Sequence, residues 1–323
     1  MPAPLDLARL GGHTMGTTWS VVLAAPADAD LHALHAGIER QLDIVVRQMS
    51  TWRADSDISR FNRSEAGQWQ RLPDEFLAVL GAALDIAACS GGAYDPTVGP
   101  LVQAWGFGPA GDVPRIPDEA ELAELHRRVG WQRLLFQPQQ HRLLQPGQAW
   151  LDLSAIAKGH AADLVARQLR EDGIGAALVE VGGELVGHGR KPDGQPWRVL
   201  VESAAEEDPE SQAMLPARVL ALDGLAVATS GDRWHRFERD GQRYAHTIDP
   251  RSGRPVPQAA AAVSVVARDA MHADAWATAL TVMGAEEGFA FAERNGLAAR
   301  FVVRSAAGPV ETMTPAFSEH LTT

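Results

Sequence analysis

Leu151-Asp-Leu-Ser-Ala-Ile-Ala-Lys-Gly-His-Ala-Ala-Asp163 passes from strand-like to helical spacing within a few residues, and the rest of the chain is read outward from it. Trp150, Leu151 and Leu153 read as a short apolar strand. Ser154 follows as a candidate N-cap, because its hydroxyl can accept the first free backbone N–H groups of a helix. From Ala155 to Arg170, Ile156, Ala157, Ala161, Leu164, Val165 and Leu169 recur three and four apart, the period of a helix with one buried face. Lys158 therefore falls in the first turn. Free N–H groups, the positive end of the helix dipole and the ammonium together make a place for an anion such as a phosphate. The alternative is an ordinary capped helix with a solvated lysine.

Upstream, 19–24 reads as a strand, and Leu31, Leu34, Ile38, Leu42, Val45 and Met49 mark an amphipathic helix. Residues 50–64 read as a polar loop. Pro73 and Asp74 open a helix that reaches Cys89. Residues 91–108 read as a loop rich in Gly, Pro and aromatics, 117–129 as a short charged helix, and 131–136 with 142–144 as a hairpin. Downstream, short strands are expected at 177–181, 184–189, 197–202, 217–222 and 225–229. A hairpin turning at Asp240-Gly241 joins 234–238 to 243–248. A strand at 261–266, helices at 270–283 and 285–295, and a strand at 298–303 complete the pattern. The stretch 204–213 reads as an acidic insertion. Helices alternating with antiparallel-looking hairpins predict one α+β domain over 1–323, not a regular βαβ winding.

The net charge of −12, from 29 basic and 41 acidic residues, argues against non-specific binding to nucleic acid. A small anionic ligand remains compatible, since local charge decides that. The single cysteine, Cys89, excludes an intrachain disulfide and a cysteine-rich metal site, and its place in an apolar helical run predicts a buried packing role. No run of about eighteen apolar residues reads as a membrane span. Residues 1–12 lack a charged-then-apolar leader, so a soluble cytoplasmic protein is expected; a trimmed chain from the periplasm or the inner-membrane surface would look the same.

Several constellations can carry chemistry. Asp274 and Thr278 lie four apart on a helix and share a face, and a carboxylate with a hydroxyl suits a hard cation such as Mg²⁺. A chance surface pair is the alternative. His246, in Tyr244-Ala-His-Thr-Ile-Asp249, is delivered by a strand on which it faces the same way as Ile248, and it can act as a general base near neutral pH. Its alternative is a structural pairing with a carboxylate, while Asp249 can simply cap the turn that follows. The loop 91–108, with Tyr94, Trp105 and Phe107, suits a flat aromatic ligand or is a packed surface loop. Gly182-Gly183 has neither Rossmann spacing nor a P-loop lysine, and no Gly-x-Ser-x-Gly or His-Glu-x-x-His pattern occurs.

Taken in order, the motifs Thr14-Met-Gly-Thr-Thr-Trp19, Met49-Ser-Thr-Trp-Arg-Ala-Asp-Ser-Asp-Ile-Ser-Arg-Phe-Asn62, Gly92-Ala-Tyr-Asp-Pro-Thr97, Asp152-Leu-Ser-Ala-Ile-Ala-Lys-Gly159, Val181-Gly-Gly183, Ala228-Thr-Ser-Gly-Asp232, His246-Thr-Ile-Asp-Pro250 and Ala273-Asp-Ala-Trp-Ala-Thr278 closely resemble the ApbE family, the FAD:protein FMN transferases. The resemblance runs from about residue 13 to the C-terminus. It implies a T-fold-related architecture of mixed, largely antiparallel sheets packed with helices. It implies transfer of the FMN half of FAD to a threonine hydroxyl of an acceptor flavoprotein, with release of AMP and dependence on Mg²⁺. The acceptor it implies is a membrane redox subunit or a flavin reductase. Met15, Trp52, Ala93, Tyr94, Asp95, Asp152, Lys158, Ile248 and Ala277 match the family's dinucleotide-binding positions; many members carry Tyr where Trp52 stands. Ala155 by its carbonyl, Asp274 by its carboxylate and Thr278 by its hydroxyl match the metal positions. His246 and Lys158 are the catalytic candidates. Rival readings are an Mg²⁺-dependent FAD pyrophosphatase, with water as nucleophile, and a non-catalytic FAD-binding protein.

Overall fold

Two ten-residue strands, β1 (Leu5–Thr14) and β2 (Thr17–Pro26), pair antiparallel across a turn of Met15 and Gly16. Along β2, Trp19, Val21, Leu23 and Ala25 bury themselves against helices while Val22 and Ala24 face the other side of the sheet, as the two-residue period of a strand requires. The computed structural model describes residues 5–109, 114–201, 215–231, 236–239, 242–256, 262–305 and 308–322. The chain continues through α1 (Leu31–Met49), α2 (Asp57–Arg63), β3 (Trp69–Arg71), α3 (Asp74–Cys89), α4 (Gly99–Ala104), α5 (Glu119–His126), β4 (Leu135–Gln137), β5 (Arg142–Leu144) and α6 (Ala157–Glu171). Then follow β6 (Ala177–Val181), β7 (Glu184–His188), β8 (Trp197–Val201), β9 (Arg218–Leu222), β10 (Leu225–Ser230), β11 (Arg236–Arg239), β12 (Gln242–Ala245), β13 (Ile248–Asp249), β14 (Arg254–Pro255) and β15 (Ala262–Ala267). The chain closes with α7 (Ala270–Met283), α8 (Ala285–Arg294), β16 (Ala298–Ser305), β17 (Gly308–Met313) and α9 (Pro315–Ser318).

An eight-stranded sheet in the order β1-β2-β6-β7-β10-β15-β16-β17 organises these elements. Its neighbouring strands are all antiparallel. On one face α6 lies over β6 and β7, α7 lies over β10 and β15 and against α6, and α1 packs on α6. On the other face the β8–β9 hairpin and α9 bury Trp197, Leu220, Leu222 and Phe317. This is the α+β, largely antiparallel architecture expected from the sequence. Among the described residues, no helix is long and apolar enough to cross a membrane.

Several local expectations fail, each for a physical reason. Residues 150–153 form no strand, and Ser154 does not cap α6. The Asp152 carboxylate accepts from Ser154 N at 2.8 Å, and Ile156 and Ala157 both donate to Leu153 O. This coils 154–156 into turns, so the helix begins at Ala157 with exposed Ser154 outside it. The polar run 50–64 contains α2, capped by Ser56, whose hydroxyl accepts from Ser59 N at 3.1 Å; Ile58 and Phe61 are its buried face. The loop 91–108 contains α4, and Trp105 is core, 1% exposed, with its ring N–H donated to Gly253 O at 2.9 Å. Cys89 is exposed, because the buried stripe of α3 runs through Phe76, Val79, Leu80, Ala83, Ile86 and Ala87 and leaves it on the outer side. His246 and Ile248 do not share one strand: β12 ends at Ala245, and β13 starts after Thr247. The strands β1 and β17, at the two edges of the sheet, are not among the expected elements, because neither contains a fully buried residue and so neither carries a core-facing apolar stripe. The acidic insertion at 204–213 and the turn at Asp240-Gly241 lie outside the described residues.

Candidate active site

The starts of α6 and α7 meet, and each helix caps the other. Asp163 of α6 accepts from Ala270 N at 2.8 Å and from Met271 N at 2.9 Å, the first two amides of α7. In return Asp274 of α7 accepts from Gly159 N of α6 at 3.1 Å. The approach is so close that a Cβ on Gly159 would stand 2.1 Å from Ala270 O, so only glycine fits there. In a regular helix Gly159 N–H would donate to Ala155 O. Here it turns to Asp274 instead, and among the described residues no hydrogen bond to the Ala155 carbonyl is found. The sequence stretch that organises the chain thus ends in a helix start completed by a carboxylate from more than a hundred residues away.

Lys158, in the first turn of α6, pairs with Glu184 of β7. Glu184 follows the Gly182-Gly183 turn, whose two positive φ values, 62° and 104°, suit glycine. It points inward with Val186 and is 2% exposed. Sequence reading missed it; the alternation of β7 was the available signal, since Glu184 has the parity of buried Val186 and His188. Burial drives the Glu184 carboxyl up, against the pull of Lys158, and drives Asp274 up likewise. Burial alone would lower Lys158, but the carboxylates of Asp274 and Glu184 outweigh it and raise it, so the ammonium stays charged. One cation thus faces two buried acids. Burial, with the charges of Asp274, Asp152 and Asp95, raises the Tyr94 phenol well above its ordinary value. Among described buried side-chain atoms without a hydrogen-bond partner, the two oxygens are Tyr94 Oη and Glu184 Oε2, and both belong to this cluster.

The other candidates distribute around this centre. Thr278, one turn beyond Asp274, shares a hydrogen bond with Ser230 Oγ at 3.0 Å. Asp152 N donates to Pro96 O at 2.8 Å, which holds the segment of Ala93, Tyr94 and Asp95 beside the organising stretch. Asp95 itself is committed: it accepts from Thr97 N and Oγ1 and from Trp131 N, at 2.7 to 3.0 Å. Ala277 is completely buried, in a cluster with Ala93 and Val256. Val256 N donates to Thr247 O at 3.0 Å, which brings the His246 segment toward α7. Partly buried His246 meets Phe107 edge-on, ring centroids 6.4 Å apart, and Ile248 packs with Leu101 and Trp105. Met15 occupies the hairpin turn with φ 48°, a left-handed conformation uncommon for a side chain of this size. Trp52, 69% exposed, stands on the 50–56 loop. That loop precedes α2, which is tied to the organising stretch by Asn62, whose amide exchanges two hydrogen bonds with the Leu151 backbone at 2.7 and 2.9 Å. No group of three or more His, Cys, Asp or Glu side chains able to hold a metal occurs among the described residues.

The family model described as the ApbE family matches residues 15–301. The chain is 37% identical over 319 residues to the FAD:protein FMN transferase of Vibrio cholerae, covering 98% of this chain and 94% of that protein. It is 35% identical over 320 residues to the FAD:protein FMN transferase of Escherichia coli K12, covering 98% and 90%. Among solved structures, the flavinyl transferase ApbE of Pseudomonas stutzeri in its apo form is similar with a TM-score of 0.90 and 40% identity, over 99% of this chain and 98% of that one. The flavin transferase ApbE from Vibrio cholerae gives 0.89 at 36% identity, over 98% and 100%.

Proposed function

The chain belongs to the ApbE family, and from that premise we propose that it is an FAD:protein FMN transferase, one domain over 1–323 that moves the FMN half of FAD onto a threonine hydroxyl of an acceptor flavoprotein. The observation that carries the reading is the junction of α6 and α7, where Lys158, two helix starts and a pair of buried carboxylates converge. A pyrophosphate needs positive charge, which Lys158 supplies here, and it suits a hard cation. The donor set fits Mg²⁺: the Asp274 carboxylate, the Thr278 hydroxyl and the Ala155 carbonyl are hard oxygens, and the second acid, Glu184, leaves the cluster short of positive charge. When bound there, Mg²⁺ supplies Lewis-acid stabilisation of phosphate charge.

The protein's own residues then have distinct tasks. The Lys158 ammonium holds the phosphates; the amides of Ala157, Gly159 and His160 beside it are already bonded to Leu153 O, the Asp274 carboxylate and Ile156 O. Met15, Trp52, Ala93, Tyr94, Asp152 and Ile248 are our candidates for seating the dinucleotide, together with the backbone at Asp95 and Ala277, whose side chains are occupied. His246 takes the proton of the acceptor hydroxyl. The threonine oxygen bonds to the FMN phosphorus, the P–O bond to AMP breaks, and AMP leaves with the bridging oxygen. We propose a membrane redox subunit or a flavin reductase as the acceptor.

Mass spectrometry of the protein with FAD, Mg²⁺ and an acceptor domain tests this. A threonine-linked FMN adduct and free AMP are expected, both abolished by chelation. Free FMN and AMP without an adduct, repeated on a second acceptor, would make the protein an FAD pyrophosphatase. FAD bound without turnover would make it a binder. His246→Ala should slow adduct formation roughly 10²- to 10⁴-fold with FAD affinity kept; an unchanged rate removes it as the base.

A further inference from the structure

The reciprocal caps are unequal in what they need to do. α7 already has its own N-cap: Asp269 accepts from His272 N at 2.8 Å, and Ala273 N donates to Asp269 O at 3.3 Å. The two remaining amides of the first turn, on Ala270 and Met271, both go to Asp163, a side chain of the neighbouring helix. A local residue or water can satisfy such amides. Using a carboxylate from α6 adds a rigid link between the two helices. Asp274 lies one turn further along α7 and returns the link to Gly159, next to Lys158. Gly159 itself touches Ala270 O so closely that the helices have no room to slide toward one another. These five residues form a closed circuit: Asp163 to Ala270 and Met271 at the start of α7, along one turn to Asp274, back to Gly159, and along one turn to Asp163.

We propose that Asp163 is a positioning residue of the transfer reaction: by fixing the start of α7 on α6 it sets where the Asp274 carboxylate and the Lys158 ammonium stand relative to one another. It touches neither phosphate nor metal in this scheme, and the inference rests on the reading of Asp274 as a metal-holding residue. Asp163→Asn keeps the shape, but an amide has a single acceptor oxygen for the two N–H groups and no charge for the helix start. The start of α7 is then held by one bond in place of two charge-assisted ones.

The test measures Mn²⁺ affinity by electron paramagnetic resonance, on the full chain with FAD and no acceptor, so that no transfer takes place. Supporting residues behind a metal ligand typically change metal affinity 10- to 100-fold when replaced, and Asp163→Asn should weaken Mn²⁺ binding by roughly 10-fold or more. Asp163→Glu, which keeps the charge one methylene further out, should weaken it less and covers the case in which the Asn variant fails to fold. Asp118→Asn removes the N-cap of α5, where Asp118 accepts from Glu121 N at 2.8 Å, and controls for general destabilisation. It should leave Mn²⁺ affinity unchanged. Unchanged affinity in both Asp163 variants overturns the proposal, as does an equal loss in the Asp118 control. Wild-type protein that binds no Mn²⁺, or an Asp274→Ala variant that binds it normally, would overturn the metal reading itself, a failure distinct from that of the Asp163 variants alone.

Discussion

Two clusters of buried charge sit on the same eight-stranded sheet, and they differ in what is left over. On β16 and β17, completely buried Arg300 donates from Nε to Glu311 at 2.5 Å, and Arg218 of β9 donates from Nε to the same carboxylate at 3.0 Å. Burial alone would raise Glu311, but two guanidiniums outweigh it and hold the carboxyl below its usual range. Around Lys158 one ammonium serves Asp274 and Glu184, both carboxyls are driven up, and Glu184 Oε2 has no hydrogen-bond partner among the described residues. A buried ion cluster with its acid doubly paired is a lock. One whose acids outnumber its cation is incomplete until positive charge arrives, and such incompleteness points to a functional site.

Breaking each cluster should therefore have opposite consequences. The largest expected effect is that of Asp274→Ala: Mg²⁺-dependent AMP release should fall roughly 10³-fold. Its unfolding free energy should change by less than ~1 kcal/mol, because a desolvated like-charge neighbour of Glu184 is removed. Single-turnover assays and urea melts check the two halves. A variant that unfolds, or one that keeps its rate, would erase the distinction. Arg300→Leu should do the reverse, costing about 1–3 kcal/mol in urea by removing one of the two guanidiniums from partly buried Glu311, which keeps Arg218, while FAD affinity at low denaturant persists. A loss below ~1 kcal/mol would mean that the lock holds little.

A fourth carboxylate sharpens the comparison from outside both clusters. The hydrogen bond from His160, the second from Arg167 and their charges hold Glu75 at about 2, against the cost of its burial. A depressed folded-state value means that the stabilisation is present above the ordinary value near 4.5 and is lost as pH falls toward 2. With a discount for its partial exposure, wild type should lose ~2 kcal/mol more than Glu75→Gln between pH 5 and pH 2. Denaturant melts across that range would read it, and parallel pH curves would remove Glu75 from the stabilising pairs. The smallest effect is expected of Glu184→Gln. It neutralises the surplus acid, so stability should stay within ~1 kcal/mol of wild type while Mg²⁺ affinity weakens several-fold. Calorimetric titration would detect that change, and an affinity that rises instead would mean that Glu184 competes with the metal.

Much of this was legible in the chain. The buried stripe of α1, the extent of α3 and the strands β6 and β7 follow from spacing, because those segments bury one helical face or mainly one parity of residues. Lys158 at a helix start and Asp274 with Thr278 on one helical face were readable for the same local reason. Less legible was any feature whose partner is distant in sequence. Ser154 looks like a cap, and no local pattern reveals that Asp274 takes the Gly159 amide in its place. Cys89 and Trp105 illustrate the opposite failure: apolar character does not say which side of a helix the core lies on.

The sequence by itself determined the α+β class, the family and most of the residues offered for chemistry, since periodicity and motif order are properties of neighbours along the chain. Only the tertiary structure decided that α6 and α7 begin at the same point and cap each other, that Glu184 closes on Lys158, and that two acids share one cation there. Those facts depend on contacts across more than twenty to more than one hundred residues of separation. Burial, which sets their energies, exists only once the sheet has brought the segments together.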